Sequence, residues 1–151
     1  MGTIRAMLTK FQTLDLESEI PKIIERTSDA IIQKNTGEDQ LLGGLDSRGD
    51  KINPEYHLES YADEKEQMNS LPGRYIPDLK LTGAFYGGFE VTIEKDTFKI
   101  NSTDDKALNL ELKYGRYIFG LSKKNKTDYA LNEFYTELKK YITEKTGLRF
   151  K

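Results

Sequence analysis

The stretch from Phe89 to Asn101 constrains this chain more than any other. Phe89, Val91 and Ile93 alternate with Glu90, Thr92 and Glu94, and Phe98 and Ile100 alternate with Lys99 and Asn101. Strand side chains point alternately to two faces, so each run reads as a half-buried strand with one apolar side. Lys95-Asp96 is left as a two-residue turn, without the glycine such turns prefer. A lone two-stranded hairpin is marginal in water. The rest of the chain must therefore cover its apolar face.

Helical periodicity on either side supplies the cover. Leu16, Ile20, Ile23, Ile24, Ala30 and Ile31 recur near a 3.6-residue spacing. With Pro21 placed in the first turn and Thr36-Gly37 as a stop, they predict a helix from Ser18 to Lys34. At the other end, Leu131, Phe134, Leu138, Tyr141 and Ile142 predict a helix from Thr127 to Thr146, ended by Gly147. Shorter helices are expected over His57–Ser70 and over Ala107–Tyr114, the second capped by Ser102 or Asp104 and closed by Gly115. Leu79 to Tyr86 reads as a short helix or turn ending on Gly87-Gly88. Tyr117-Ile118-Phe119 reads as a short strand. Residues 37–56 lose all periodicity and are broken by Gly43-Gly44, Gly49 and Asn53-Pro54, which predicts a long loop or arm, or a loose hairpin around Leu41-Leu42 and Leu45. The expected class is α+β, one domain over residues 1–151, with a small antiparallel sheet and its central hairpin packed by long N-terminal and C-terminal helices.

Composition narrows the function classes. A chain of 151 residues can bury roughly 70% of the surface its unfolded form exposes. Lys+Arg 23 against Asp+Glu 25 gives a formal charge of -2, without the cationic excess of a strong nucleic-acid binder. No apolar run reaches the roughly 18 residues of a membrane span, and no long apolar region marks a secretory leader. With no cysteine and a single histidine, His57, thiolate metal sites, disulfides and cysteine nucleophiles are excluded. No metal or other cofactor is expected.

Several short motifs have a chemical and a plainer reading. Pro77-Asp78 with Glu111-Leu112-Lys113 fits the loose spacing of metal-dependent nucleases, in which two acids hold Mg²⁺ and a lysine steadies hydroxide. That chemistry wants the groups at strand ends, whereas Glu111 and Lys113 fall inside a predicted helix and point to different sides. Arg48-Gly49-Asp50 reads as a polar turn. The sequons at Asn101 and Asn125 read as a strand end and a helix cap. Asp46 to Asp50 lacks the ligand ladder of a calcium loop, and His57 has no partner to share a metal. The chain carries nine tyrosines and seven phenylalanines, many clustered between Tyr75 and Phe119. Most must pack the core, but tyrosine together with Arg74 and Arg116 is also what interface centres favour. No catalytic dyad emerges.

The order of these pieces carries a resemblance. A polar segment, Leu45-Asp46-Ser47-Arg48-Gly49-Asp50-Lys51-Ile52, follows the first helix. Then come Tyr61-Ala62 and Lys65, Leu79-Lys80-Leu81-Thr82-Gly83-Ala84-Phe85, a hairpin, a helix ending Lys113-Tyr114-Gly115, and Tyr117-Ile118-Phe119-Gly120-Leu121-Ser122 before the closing helix. From Ile20 to Ile142 this resembles the neck and tail-completion (virion morphogenesis, minor tail) proteins of tailed bacteriophages. The tryptophan usual after the polar loop is absent, Tyr56 or Tyr61 being nearest. The resemblance implies a non-enzymatic structural protein of the virion, made in the bacterial host cytoplasm. It would form a hexameric or dodecameric ring at the head–tail junction, with portal or connector proteins and tail proteins as partners, DNA only passing through, and no membrane. Subunit contacts are expected on the hairpin and at Leu81, Thr82, Gly83, Phe85, Tyr86, Arg116, Tyr117, Phe119 and Leu121. Leu41, Leu42, Leu45 and Ile52 are expected on a docking arm that gains order on assembly. A small protein-binding adaptor or inhibitor, such as a toxin–antitoxin partner, is the alternative, and the nuclease a more distant one.

Overall fold

The computed structural model describes residues 3–151. In chain order the helices are α1 (Ile4–Gln12), α2 (Leu16–Arg26), α3 (Ser28–Thr36), α4 (Glu59–Met68) and α5 (Ala84–Gly87). The hairpin β1 (Phe89–Glu94) and β2 (Thr97–Ser102) follows, then α6 (Ala107–Tyr114), α7 (Lys123–Asp128) and α8 (Tyr135–Thr146). The fold is α+β with one antiparallel hairpin, as the alternation and the helical periods require.

The hairpin register sets Val91 opposite Ile100 and Ile93 opposite Phe98. These pairs share the face that α2 and α3 cover. Ile24, Ile31, Phe89 and Ile100 meet there with Leu41, Ile52, Ile118 and Leu121 in one core. Phe85 and Phe89 meet edge to face at 5.0 Å, and both lie against Phe119, at 5.9 and 5.5 Å. Rings at these separations add to simple area burial.

Four expectations need correction. The single helix from Ser18 to Lys34 is two helices. It starts earlier, at Leu16, because Asp15 accepts the Ser18 amide as its N-cap. Pro21 therefore falls inside α2 rather than in its first turn. At Thr27 the hydroxyl donates to the Ile23 carbonyl at 2.7 Å and shares a 2.7 Å bond with the Tyr129 hydroxyl. A threonine that competes for the i−4 carbonyl loosens the helix there.

The closing helix starts before Thr127. Ser122 accepts the Asn125 amide and caps α7, so Asn125 is not itself the cap. A π-helical stretch over Tyr129–Phe134 then joins α7 to α8. It carries Tyr129 into the core, edge-on to Phe98 at 5.9 Å.

Tyr117-Ile118-Phe119 is not a strand. Arg116–Ile118 forms a 3₁₀ turn, and side chains take the backbone bonds that a neighbouring strand would otherwise provide. Asn35 donates to the Ile118 carbonyl at 3.0 Å and accepts the Gly120 amide at 2.9 Å. Gln40 donates to the Gly120 carbonyl and accepts the Ser122 amide, both at 2.8 Å. Asn125 donates to Gln40 at 2.9 Å, closing a buried amide network.

Residues 37–56 are not an extended arm. Leu41 and Ile52 are fully buried in the common core, and Leu42 and Leu45 are half-buried. Leu45 bridges Lys51, and Asp46 accepts the amides of Arg48 and Asp50 together with the Arg48 guanidinium. The Arg48-Gly49-Asp50 tripeptide is thus a turn built on one buried carboxylate. Gly44 sits at φ 75, and a Cβ there would lie 2.6 Å from both Pro72 and Ile76, so only glycine lets this segment lie against them. Two well-placed aliphatic residues anchor a polar stretch that has too few for a core of its own.

Candidate functional site

The segment Pro77–Gly83 is fixed by a buried ion pair. Lys65 reaches from the inner face of α4 to Asp78 at 2.7 Å, with side chains only 5% and 3% exposed. The Asp78 carboxylate also accepts the Lys80 amide at 3.0 Å and the Asn69 side-chain amide at 2.9 Å. Lys65 donates in addition to the Lys80 carbonyl, and the Tyr86 hydroxyl to the Asp78 carbonyl. Every polar group at this junction has a partner, as burial at this depth demands. Leu79 is held between them at φ 57, a conformation that costs a branched side chain energy unless its surroundings impose it.

This scaffold shapes one wall of a cavity of about 460 Å³. Tyr56, Tyr61, Phe85, Leu110 and Tyr114 line its apolar part, and Leu58 and Leu81 stand exposed at its edge. Tyr56 and Tyr61 meet edge to face at 5.0 Å. Burial, with the Asp78 charge adding to it, pushes the phenols of Tyr56 and Tyr86 well above the ordinary tyrosine value. They stay neutral hydrogen-bonding groups.

A second, wider cavity of about 860 Å³ lies among Ser47, Arg48, Phe98, Arg116, Tyr117, Phe119 and Leu121. The Arg48 guanidinium sits 4.2 Å from the Tyr117 ring centre, and Arg116 donates to the Tyr117 hydroxyl at 3.2 Å. That bond, with the Arg116 charge, lowers the Tyr117 phenol from its ordinary value. The two cavities share no residue. Leu110, Lys113 and Tyr114 of α6 line the first and Glu111 the second, while the Phe85–Phe119 contact lies between them.

The expected contact residues are therefore divided. Leu81, Thr82, Gly83 and Phe85 belong to the first cavity, and Arg116, Tyr117, Phe119 and Leu121 to the second. Leu81 is 52% exposed, and Thr82 and Arg116 are exposed as well. Phe85 and Leu121 are buried and support the walls from behind, while Tyr86 is tied to the Asp78 backbone. The nuclease pattern is not assembled: Asp78 is occupied by Lys65, and Glu111 and Lys113 face different cavities. Among the described residues no three His, Asp or Glu side chains converge to hold a metal. None of the described helices is long and apolar enough to cross a membrane.

Sequence reasoning missed the Lys65–Asp78 pair, because nothing local links residues thirteen positions apart. It also passed over α1. Ile4, Met7, Leu8 and Phe11 at helical spacing behind a capping Thr3 were the available signal. Comparison with protein-family models, curated proteins and solved structures finds no match to this chain.

Proposed function

We propose that this chain is a structural virion protein that forms a ring at the head–tail junction of a tailed bacteriophage. It joins portal-side proteins to the tail, leaves a channel for DNA, and has no enzymatic activity. The observation that carries this reading is the pair of unlike cavities separated by α6, each edged by residues from the segments that resemble neck and tail-completion proteins. A ring component needs different surfaces for different neighbours. A heterologous contact between copies closes into a ring when its rotation is right. The slightly acidic chain also suits a channel in which strong cationic grip on phosphates would stall DNA.

Counting this chain in purified virions and head–tail fractions by mass analysis tests the reading. A hexameric or dodecameric complement at the junction supports it. Absence from every particle would sink it and leave the adaptor reading, for which a monomer or dimer bound to a cytoplasmic protein is expected.

A further inference from the structure

α1 is a strongly amphipathic helix that touches α8 yet leaves most of its apolar strip uncovered. α1 buries none of its residues: Ile4 is 79% exposed, Leu8 58% and Phe11 41%. These three fall at i, i+4 and i+7, one face of a helix. Arg5 and Lys10 are the only charged residues between Thr3 and Leu14, and neither forms an ion pair among the described residues.

α4 presents the opposite chemistry. Its inner face buries Ala62 and Lys65, and its outer surface carries Glu59, Asp63, Glu64 and Glu66. Among the described residues, only Asp63 of these has a cationic partner, Arg74 at 2.5 Å. Leu58, Met68 and Leu71 stand more than half exposed at the two ends of this helix. α1 carries an apolar strip with one cation off each side, and α4 an acidic face with apolar ends. Both are open in the same chain.

We propose that α1 of one copy docks on the acidic face of α4 of a second copy. The occupant rests on the ring reading above, and charge decides the pairing. α1 against α1 would set Arg5 and Lys10 against their own copies, and α4 against α4 would oppose four carboxylates. The unlike pairing sets Leu58, Met68 and Leu71 against the apolar strip and balances charge along its edges. Such a contact is heterologous, so an open oligomer keeps one free α1 and one free α4, at its two ends, until the ring closes. An anionic lipid surface is the competing occupant for a basic amphipathic helix. Two cations, at about 1 kcal/mol each, make a weak anchor, and lipid would leave the α4 acids unused.

The absence of cysteine makes the test clean. Leu8→Cys and Met68→Cys together place one thiol on each strip. Under mild oxidation the doubly substituted chain is expected to give a ladder of dimers, trimers and longer species on a non-reducing gel. Each single variant stops at the dimer. Arg5→Glu with Lys10→Glu should cut the ladder by about ten-fold, from two reversed surface pairs. Adding Glu59→Lys and Glu66→Lys should restore it.

A product confined to an internal monomer crosslink, or no product beyond the single-variant controls, overturns the proposal. So does a chain that stays unladdered while vesicles of phosphatidylglycerol protect the α1 thiol. The ring reading is separable. A full virion complement without a ladder removes only this contact, whereas a ladder in a chain absent from virions leaves self-association and removes the ring.

Discussion

Removing one partner of the Lys65–Asp78 pair should be among the costliest single changes in this chain. At 2.7 Å and an effective dielectric near 20, the gross attraction is about 6 kcal/mol. Taking both charges out of water offsets much of that, so the pair itself adds little net stability. Breaking it is different, because the remaining charge stays buried. Lys65→Met leaves the Asp78 carboxylate with only the Lys80 amide and the Asn69 side chain, and the expected loss is about 3–5 kcal/mol. For a domain whose total stability is roughly 5–15 kcal/mol, that is a large share. Asp78→Asn keeps an oxygen for the Lys80 amide but strands the Lys65 ammonium, with a similar cost. Urea unfolding followed by circular dichroism measures each variant, with the slope as a check on two-state behaviour. The double variant carries neither charge and should cost at least about 2 kcal/mol less than the sum of the singles. If Lys65→Met costs under about 1 kcal/mol, or if the two effects add, the claim that this junction is sealed and coupled is refuted.

Other expectations follow from the same geometry. Asn35→Ala removes the partners of the buried Ile118 carbonyl and the Gly120 amide, and should cost about 2–4 kcal/mol in urea unfolding; a loss under 1 kcal/mol would mean water or another group replaces the amide. Lys95 stands exposed at φ 56 in the hairpin turn, so Lys95→Gly should raise stability by about 0.5–1 kcal/mol, read as a higher Tm; a lower Tm would contradict the strain. The Tyr117 phenol, lowered first by the Arg116 hydrogen bond and then by its charge, should titrate below its ordinary 10.0 in tyrosine-labelled NMR and return toward it in Arg116→Gln. The sign follows from linkage. With the folded value depressed, the folded state gains stability only as the phenol ionises at alkaline pH, and neutral-pH stability stays unchanged. An unshifted Tyr117, or a shift that survives Arg116→Gln, would remove the Arg116 explanation.

The hairpin was legible because its signal is local. Alternation from Phe89 to Ile100 fixes both strands and their inward face, and no distant residue alters that reading. The span of α6 and the short turn ending at Gly87 were legible for the same reason, but neither Ser102 nor Asp104 caps α6, which starts after Lys106 without a side-chain cap. The other failures involve residues that answer to distant partners. Tyr117-Ile118-Phe119 has strand composition, yet Asn35, about eighty positions away, takes the Ile118 carbonyl, and Gln40 takes the Gly120 carbonyl just beyond it. Thr27 interrupts a smooth helical pattern through a hydroxyl shared with Tyr129. The polar character of residues 37–56 was read correctly, but its consequence was not. Leu41 and Ile52 suffice to bind the segment to a core whose other members lie elsewhere in the chain. At the candidate site, Leu81 to Gly83 were visible as part of a short helix or turn. What holds that turn in place was not, because Lys65 looks like one more charge in an exposed acidic helix.

That hidden support bears on how the Leu81 turn works. Exposed loops normally order on binding, and each immobilised side chain then costs about 0.5–1.5 kcal/mol of affinity. Here the cost is met on folding. Lys65, Asn69 and Tyr86 pin Asp78, Asp78 pins the Lys80 amide, and Leu79 is forced into its left-handed conformation, so Leu81 projects from a rigid base. A buried ion pair is a poor device for stability alone, since well-packed apolar residues serve as well or better. Its advantage is direction: charge and hydrogen bonds fix one geometry where an apolar contact tolerates several. In the ring proposed above, a contact repeated in every copy would gain from such fixation each time. If the double variant that lacks both charges keeps its stability but releases the loop, amide exchange at Leu81–Gly83 should rise while the core stays protected. Equal protection in both chains would mean that packing around Leu79 alone sets the turn.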